Sequence, residues 1–226
     1  MEICLKKNSA FIVSVACVLA VTATIILSVI FCGNSTIQFE AEYYFVCYSV
    51  RNNALSADAI SDTVSNYGGA GYVLEYGGDY YITVACYYAE NEANRIKQNL
   101  LQRGLACSVL FVETNNYSVQ SLTVRGKEKL YLGNLNTLHS LSELCYKCAN
   151  GLDTGKYNQS AAKSILADVK SGLNGLKIAN SENCFYGEIR RLIAECEAIE
   201  SGFLYSKDMR KLQIAITDTI INIELY

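Results

Sequence analysis

Apolar and polar positions divide the chain into three stretches with different periods. From Ser9 to Cys32 the sequence SAFIVSVACVLAVTATIILSVIFC is apolar or small throughout, and no charged side chain occurs between Lys7 and Glu40. From Tyr43 to Val112 short β-type runs alternate with helical ones. Tyr43–Val50 (YYFVCYSV) reads as a strand, and Ala54–Tyr67 places Leu55, Ala59, Ile60 and Val64 at helical spacing before Gly68-Gly69 stops it. Gly71–Tyr76 is a second strand. Gly77-Gly78-Asp79 is a tight turn because glycine reaches the positive φ such turns need, and Tyr80–Tyr87 returns as a third strand. Asn91–Arg103 carries Ala93, Ile96, Leu100 and Leu101 on one helical face, Gly104 closes it, and Cys107–Val112 is a fourth strand. Beyond Thr114-Asn115-Asn116 four helical patterns follow, at 127–150, 159–179, 184–201 and 207–225, separated by Gly151–Gly155, Asn180–Asn183 and Gly202. Short connections of this kind predict antiparallel neighbours in a small bundle.

The first stretch is long enough to cross a hydrocarbon core, which takes about 20 residues of helix. A cleaved signal peptide has a shorter apolar run, and a lipoprotein signal ending at Cys32 would want a small residue where Phe31 stands. The expectation is therefore a single-pass anchor in the cytoplasmic membrane. Lys6 and Lys7 precede the run while Glu40 and Glu42 follow it, so the positive-inside bias puts the N-terminus inside and the rest outside. The expected organisation is a cytoplasmic stub (1–8), a transmembrane anchor (9–32), an α/β domain (42–113) and a helical bundle domain (124–226).

Composition narrows the function classes. The chain has 226 residues with no proline, no tryptophan and one histidine, and it carries 19 basic against 22 acidic side chains. A lone His139 cannot build the multi-histidine site of a zinc hydrolase, so no metal and no cofactor are expected. Between Glu42 and Glu113 only Arg51, Arg95, Lys97 and Arg103 oppose eight carboxylates, which disfavours nucleic acid as a partner. The region 124–226 has balanced charge and no catalytic constellation: His139 lacks a serine or cysteine in a recognisable motif, and no catalytic residue is expected. Cys145-x-x-Cys148 lies in a leucine-rich helical pattern with no second pair after it, and so reads as structural, while Cys47, Cys86 and Cys107 read as buried strand residues.

The order β-α-β-β-α-β is the split βαβ arrangement of ferredoxin-like folds, and strand-helix-glycine-strand occurs twice, at Tyr43–Tyr76 and Tyr80–Val112. Tyr80, Ile82, Val84, Ala85, Cys86 and Tyr87, followed by Glu92, Ala93 and Gly104, resemble the second half of the sporulation-related repeat, or SPOR, domain. Tyr44–Val50 is similar to that family's first strand, with Val46 where glutamine is common and Tyr48 where glycine is common. The resemblance covers residues 42–113. It implies a SPOR-type domain that binds peptidoglycan glycan strands stripped of their peptides during division or spore formation, outside the cytoplasmic membrane.

Ten of the 17 tyrosines lie between Tyr43 and Tyr88, and tyrosine suits sugars because its ring packs on their C–H faces while its hydroxyl meets their hydroxyls. Strand alternation puts Ile82, Val84 and Cys86 toward the helices and Tyr81 and Thr83 on the opposite face, and it puts Tyr44, Val46 and Tyr48 outward on the first strand. Because SPOR families bind glycan on the face opposite their helices, the resemblance makes Tyr44, Val46, Tyr48, Tyr81 and Thr83 the expected glycan-binding residues. The expected fold class is thus α+β: one transmembrane helix, a ferredoxin-like SPOR-type domain, then an antiparallel helical bundle that offers a protein-partner surface. The expected function is a non-catalytic, membrane-anchored peptidoglycan-binding protein. The alternative is a structural or assembly protein whose α/β domain makes protein–protein contacts without touching glycan.

Overall fold

The computed structural model describes residues 35–119, 127–179 and 185–223. Four strands form one sheet: β1 (Ser35–Arg51), β2 (Tyr72–Tyr76), β3 (Asp79–Tyr87) and β4 (Ser108–Val119), in the order β2-β3-β1-β4. Two helices lie between strands, α1 (Ala54–Asn66) and α2 (Glu90–Gln102). Four follow them: α3 (Glu128–Asp153), α4 (Gln159–Ala179), α5 (Phe185–Glu200) and α6 (Ser206–Asn222).

The local signals account for most element ends. Asn53 caps α1, its side-chain oxygen accepting from Ser56 N at 2.9 Å, and Gly68 at φ +89° ends the turn after it. Gly77 and Gly78, at φ +63° and +87°, make the two-residue hairpin that pairs Tyr76 with Asp79. Asp208 accepts from the Tyr205 N–H at 2.9 Å and starts α6.

β1 is twice as long as its sequence predicts. Its odd positions Ile37, Phe39, Tyr43, Phe45 and Cys47 all enter one core, while Gln38, Glu40 and Glu42 between them are exposed. That core also contains Leu74 and Cys86 from the sheet and Leu138, Leu166, Leu192 and Ile216 from the helices. Sheet and helices α3–α6 therefore share one apolar interior, and residues from Thr36 onward form one compact unit. On the other side of the sheet Ala57 and Val64 of α1 cover Ile82, and Ala93 of α2 covers Val46, Ala85 and Tyr87. The result is three layers: two helices, the sheet and four helices.

Two opposed irregularities cross the centre of the sheet. Val46 pairs with Ala85 and Cys47 with Thr83, which leaves Val84 without a partner on β1; Ser49 then pairs with Ile82, which leaves Tyr48 without one on β3. Each extra residue reverses the inside–outside alternation of its strand. Ile82 and Val84 therefore face α1, whereas Cys86 joins the core with the bundle.

The expected fold class is corrected by these findings. The sheet, in the order β2-β3-β1-β4, is the middle layer of three; it is not the open-faced sheet of a ferredoxin-like SPOR-type domain followed by a separate helical bundle. The expected transmembrane helix and the single-pass cytoplasmic-membrane localisation are corrected as well. Among the described residues no helix is long and apolar enough to cross a membrane, and the apolar run 9–32 lies outside them.

Candidate functional site

The five expected glycan-binding residues do not make one surface. Tyr44, Val46 and Tyr48 lie on the α1/α2 side, and Tyr81 packs against the bundle-side core, where alternation also places Thr83. Val46 and Thr83 are fully buried, and Thr83 Oγ1 donates to the Tyr72 carbonyl at 2.8 Å. A ligand cannot reach either of them. Tyr44 donates to Glu42 Oε2 at 2.8 Å and its ring lies 5.0 Å from Phe111. Tyr48 is 38% exposed over a small apolar groove of about 80 Å3, shared with Tyr67, Val84, Leu100, Leu105 and Cys107.

Convergent polar groups occur elsewhere, where the β2–β3 hairpin meets α5 and α6. A cleft of about 640 Å3 is lined by Glu75, Tyr76, Gly77 and Gly78 of the hairpin, Glu188 and Arg191 of α5, and Asp218, Thr219 and Asn222 of α6. Helical spacing aims these side chains together: Glu188, Arg191 and Glu195 follow one another at three and four residues, as do Asp218 and Asn222 at four. Arg191 is the hub. Its Nε donates to Glu188 Oε2 at 2.9 Å, one terminal nitrogen to Glu195 Oε1 at 3.0 Å, and the other to Thr219 Oγ1 at 3.2 Å. Tyr72 Oη donates to Asp218 Oδ2 at 2.5 Å, and Asn222 Nδ2 donates both to Asp218 Oδ1 at 2.6 Å and to the Glu75 carbonyl at 3.3 Å.

Partial burial shapes the electrostatics here. Burial pushes the Asp218 carboxyl up, against the lowering effect of the Tyr72 and Asn222 donors and the Arg191 charge. Burial raises Glu195 too, opposed by Arg191. The Tyr72 phenol is raised by burial and by the Asp218 charge, so it keeps its proton and donates it. Burial works against the Arg191 guanidinium, but its bonds to the Glu188 and Glu195 carboxylates outweigh it and the group stays charged. The cleft thus offers closely spaced carboxylates, an amide, a guanidinium and one tyrosine ring. Among the described residues no group of three metal-ligating side chains occurs.

The lone histidine holds a packing position. His139 Nδ1 lies 2.9 Å from Tyr43 Oη, and the rings of Phe39, Tyr43 and Tyr88 surround it at 6.0, 5.8 and 5.4 Å. Burial lowers its pKa, with Glu143, 3.9 Å from Nε2, acting in the opposite direction. Beneath it Tyr88 bonds Ser142, Ser142 meets Thr217 at 3.0 Å, and Gln213 Nε2 donates to the Cys86 carbonyl at 3.0 Å. Cys47, Cys86, Cys145, Cys148 and Cys196 are buried free thiols, and Cys107 is partly exposed. Burial raises the pKa of all six, so none is poised as a thiolate.

A scan of the chain against protein-family models returns no match, and searches of the curated proteins and of the solved structures return none either. The SPOR resemblance accordingly rests on the residues quoted for it. The cleft residues were missed by sequence reasoning, which found only balanced charge and no catalytic constellation in 124–226. Their spacing, Glu188-x-x-Arg191-x-x-x-Glu195 and Asp218-x-x-x-Asn222, was visible, but nothing local tied it to Tyr72, Glu75 and Tyr76 more than 100 residues away.

Proposed function

We propose that the protein is a non-catalytic binding protein for peptidoglycan glycan strands, and that the contact is made in the cleft between the β2–β3 hairpin, α5 and α6. The single observation that carries this reading is the convergence of Glu188, Arg191, Asp218 and Asn222 with Tyr76 in one open cleft, where the Glu75 carbonyl accepts from Asn222. Planar polar side chains of these types suit neighbouring sugar hydroxyls, and a tyrosine ring suits the apolar face of the same sugar. The SPOR resemblance supports the same ligand class, but on other residues.

Co-sedimentation of the full chain with amidase-treated peptidoglycan tests it. Binding is expected, and Tyr76→Ala and Glu188→Ala are each expected to weaken it by roughly tenfold, the worth of about one well-made contact. Tyr81→Ala is expected to leave binding unchanged. Failure of the full chain to co-sediment overturns the reading.

A specific observation favours a second reading, that of a structural or assembly protein working through protein–protein contacts. Val46 stands where the family's glutamine is common, and here it is buried under α2. The sheet face on which SPOR families bind glycan is covered by α3–α6, whose own apolar faces are spent on that cover. A discrete oligomer in light scattering, with no wall pull-down, selects this second reading.

A further inference from the structure

Donors and acceptors are left over unequally in the cleft. The Asn222 amide nitrogen donates to Asp218 Oδ1 at 2.6 Å and to the Glu75 carbonyl at 3.3 Å, so both of its N–H groups are engaged. Its side-chain oxygen is thereby fixed as an acceptor, with no partner among the described residues. Tyr72 gives its one hydroxyl proton to Asp218, and Thr219 gives its own to the Ala215 carbonyl at 3.0 Å. Arg191 has Nε and both terminal nitrogens engaged, on Glu188, Glu195 and Thr219. The carboxylates, by contrast, keep lone pairs beyond these bonds. Charge runs the same way. The lining sets Glu188 and Asp218 against Arg191, and Arg191 is also bonded to Glu195, whose other cationic neighbour is Lys211.

On the glycan reading, we infer that the cleft selects an amino sugar whose amine is free and protonated over the same sugar in N-acetylated form. An ammonium brings a positive charge and several donors to groups that are mostly acceptors, and charge-assisted bonds are the stronger kind. An acetamide brings a single N–H, and its carbonyl oxygen would face the Asn222 oxygen and the carboxylates. A site built for donors rejects an analogue that lacks them, because its own polar groups are then left unpaired. A sugar bearing a carboxylate would set like charges together, which also costs affinity. The Tyr76 ring in the same cleft suits the apolar face of any of these sugars, so the ring sets the class of ligand and the acceptors set its form.

Isothermal titration of the full chain tests this with two probes of equal length, a chitosan oligosaccharide and its fully N-acetylated chitin counterpart, at a pH where the amines are charged. The chitosan form is expected to bind roughly tenfold more tightly, the worth of about one well-made contact. Glu188→Gln keeps the size of the side chain and removes its charge, and is expected to cut that preference to about twofold. Asp62→Asn removes the same charge from an exposed position on α1, on the other side of the sheet, and is expected to leave the preference unchanged. Equal or tighter binding of the N-acetylated form overturns the inference while the glycan reading stands. A loss in Asp62→Asn equal to that in Glu188→Gln overturns it too, since the preference would then follow the net charge of the chain and not the cleft. Binding of neither probe also overturns it, and co-sedimentation with amidase-treated peptidoglycan then decides the glycan reading separately.

Discussion

The two faces of the sheet are covered by unequal amounts of structure. On the bundle side one continuous core joins Phe45, Leu74 and Cys86 to large side chains from all four of α3–α6. On the other side α1 and α2 bury only Ala57, Val64 and Ala93 fully, in two small separate clusters, and leave an apolar groove between them with Tyr67 83% exposed at its rim. Apolar burial scales with the area removed from water, so the bundle side dominates the stability of the fold. The α1/α2 layer belongs to the class of elements that open locally at lower free energy. The strands are common to both layers, and the difference lies in what presses on them.

Substitutions that break this comparison rank by the face they touch. Phe45→Ala removes a fully buried ring from the bundle-side core and is expected to cost about 3–5 kcal/mol, read as a shift of the urea midpoint. Gly151→Ala, on the same side, sets a Cβ 2.0 Å from the Tyr157 ring that packs over α3, and is expected to cost about 1–3 kcal/mol by overpacking. Gly71→Ala tests how the α1 layer is fastened. Gly71 holds φ +59° and its Cβ would lie 2.5 Å from the Ser61 carbonyl, so a loss of at least ~1–2 kcal/mol is expected, with faster hydrogen exchange in α1 than in α3 or α6. Ile82→Val, under α1, is expected to cost only about 0.5–1.5 kcal/mol. A loss as large as that of Phe45→Ala would refute the ranking.

The smallest expected effect is pH dependence from His139 of α3, whose ring packs on Tyr43 of β1. Burial holds its folded pKa below the ordinary value, so the unfolded chain takes the proton first. Its contribution is therefore complete above the unfolded value of about 6.5 and is lost as pH falls below it. Denaturant midpoints measured across that range should decline for the wild-type chain and decline less for His139→Gln.

Much of the secondary structure was legible because its signals are local. The helix at 159–179 is found where the apolar spacing places it, and the hairpin at Gly77-Gly78 turns as its residues require. The pairing Cys145-x-x-Cys148 read as structural from its leucine-rich helix, and both thiols are buried. The extension of β1 back to Ser35 was less legible, although Ile37, Phe39 and Tyr43 do alternate, because the polar residues between them resemble a linker. Which face each strand residue takes was legible along β1 as far as Tyr48, but not across Val84 on β3. Neither skip, at Val84 or at Tyr48, has a glycine or proline to mark it, and one extra residue sends all later side chains to the other side.

Periods of two and of three to four residues, with glycine and asparagine as punctuation, were enough to set the order and type of the elements, since each depends on neighbours within a turn or a hairpin. The covering of the second sheet face, the burial of Val46 and Thr83, and the meeting of Tyr72 with Asp218 depend on contacts between residues far apart in the chain. Such contacts are chosen by which apolar faces fit together once all the elements exist. A helical stripe records that it must be buried, and only packing determines against what.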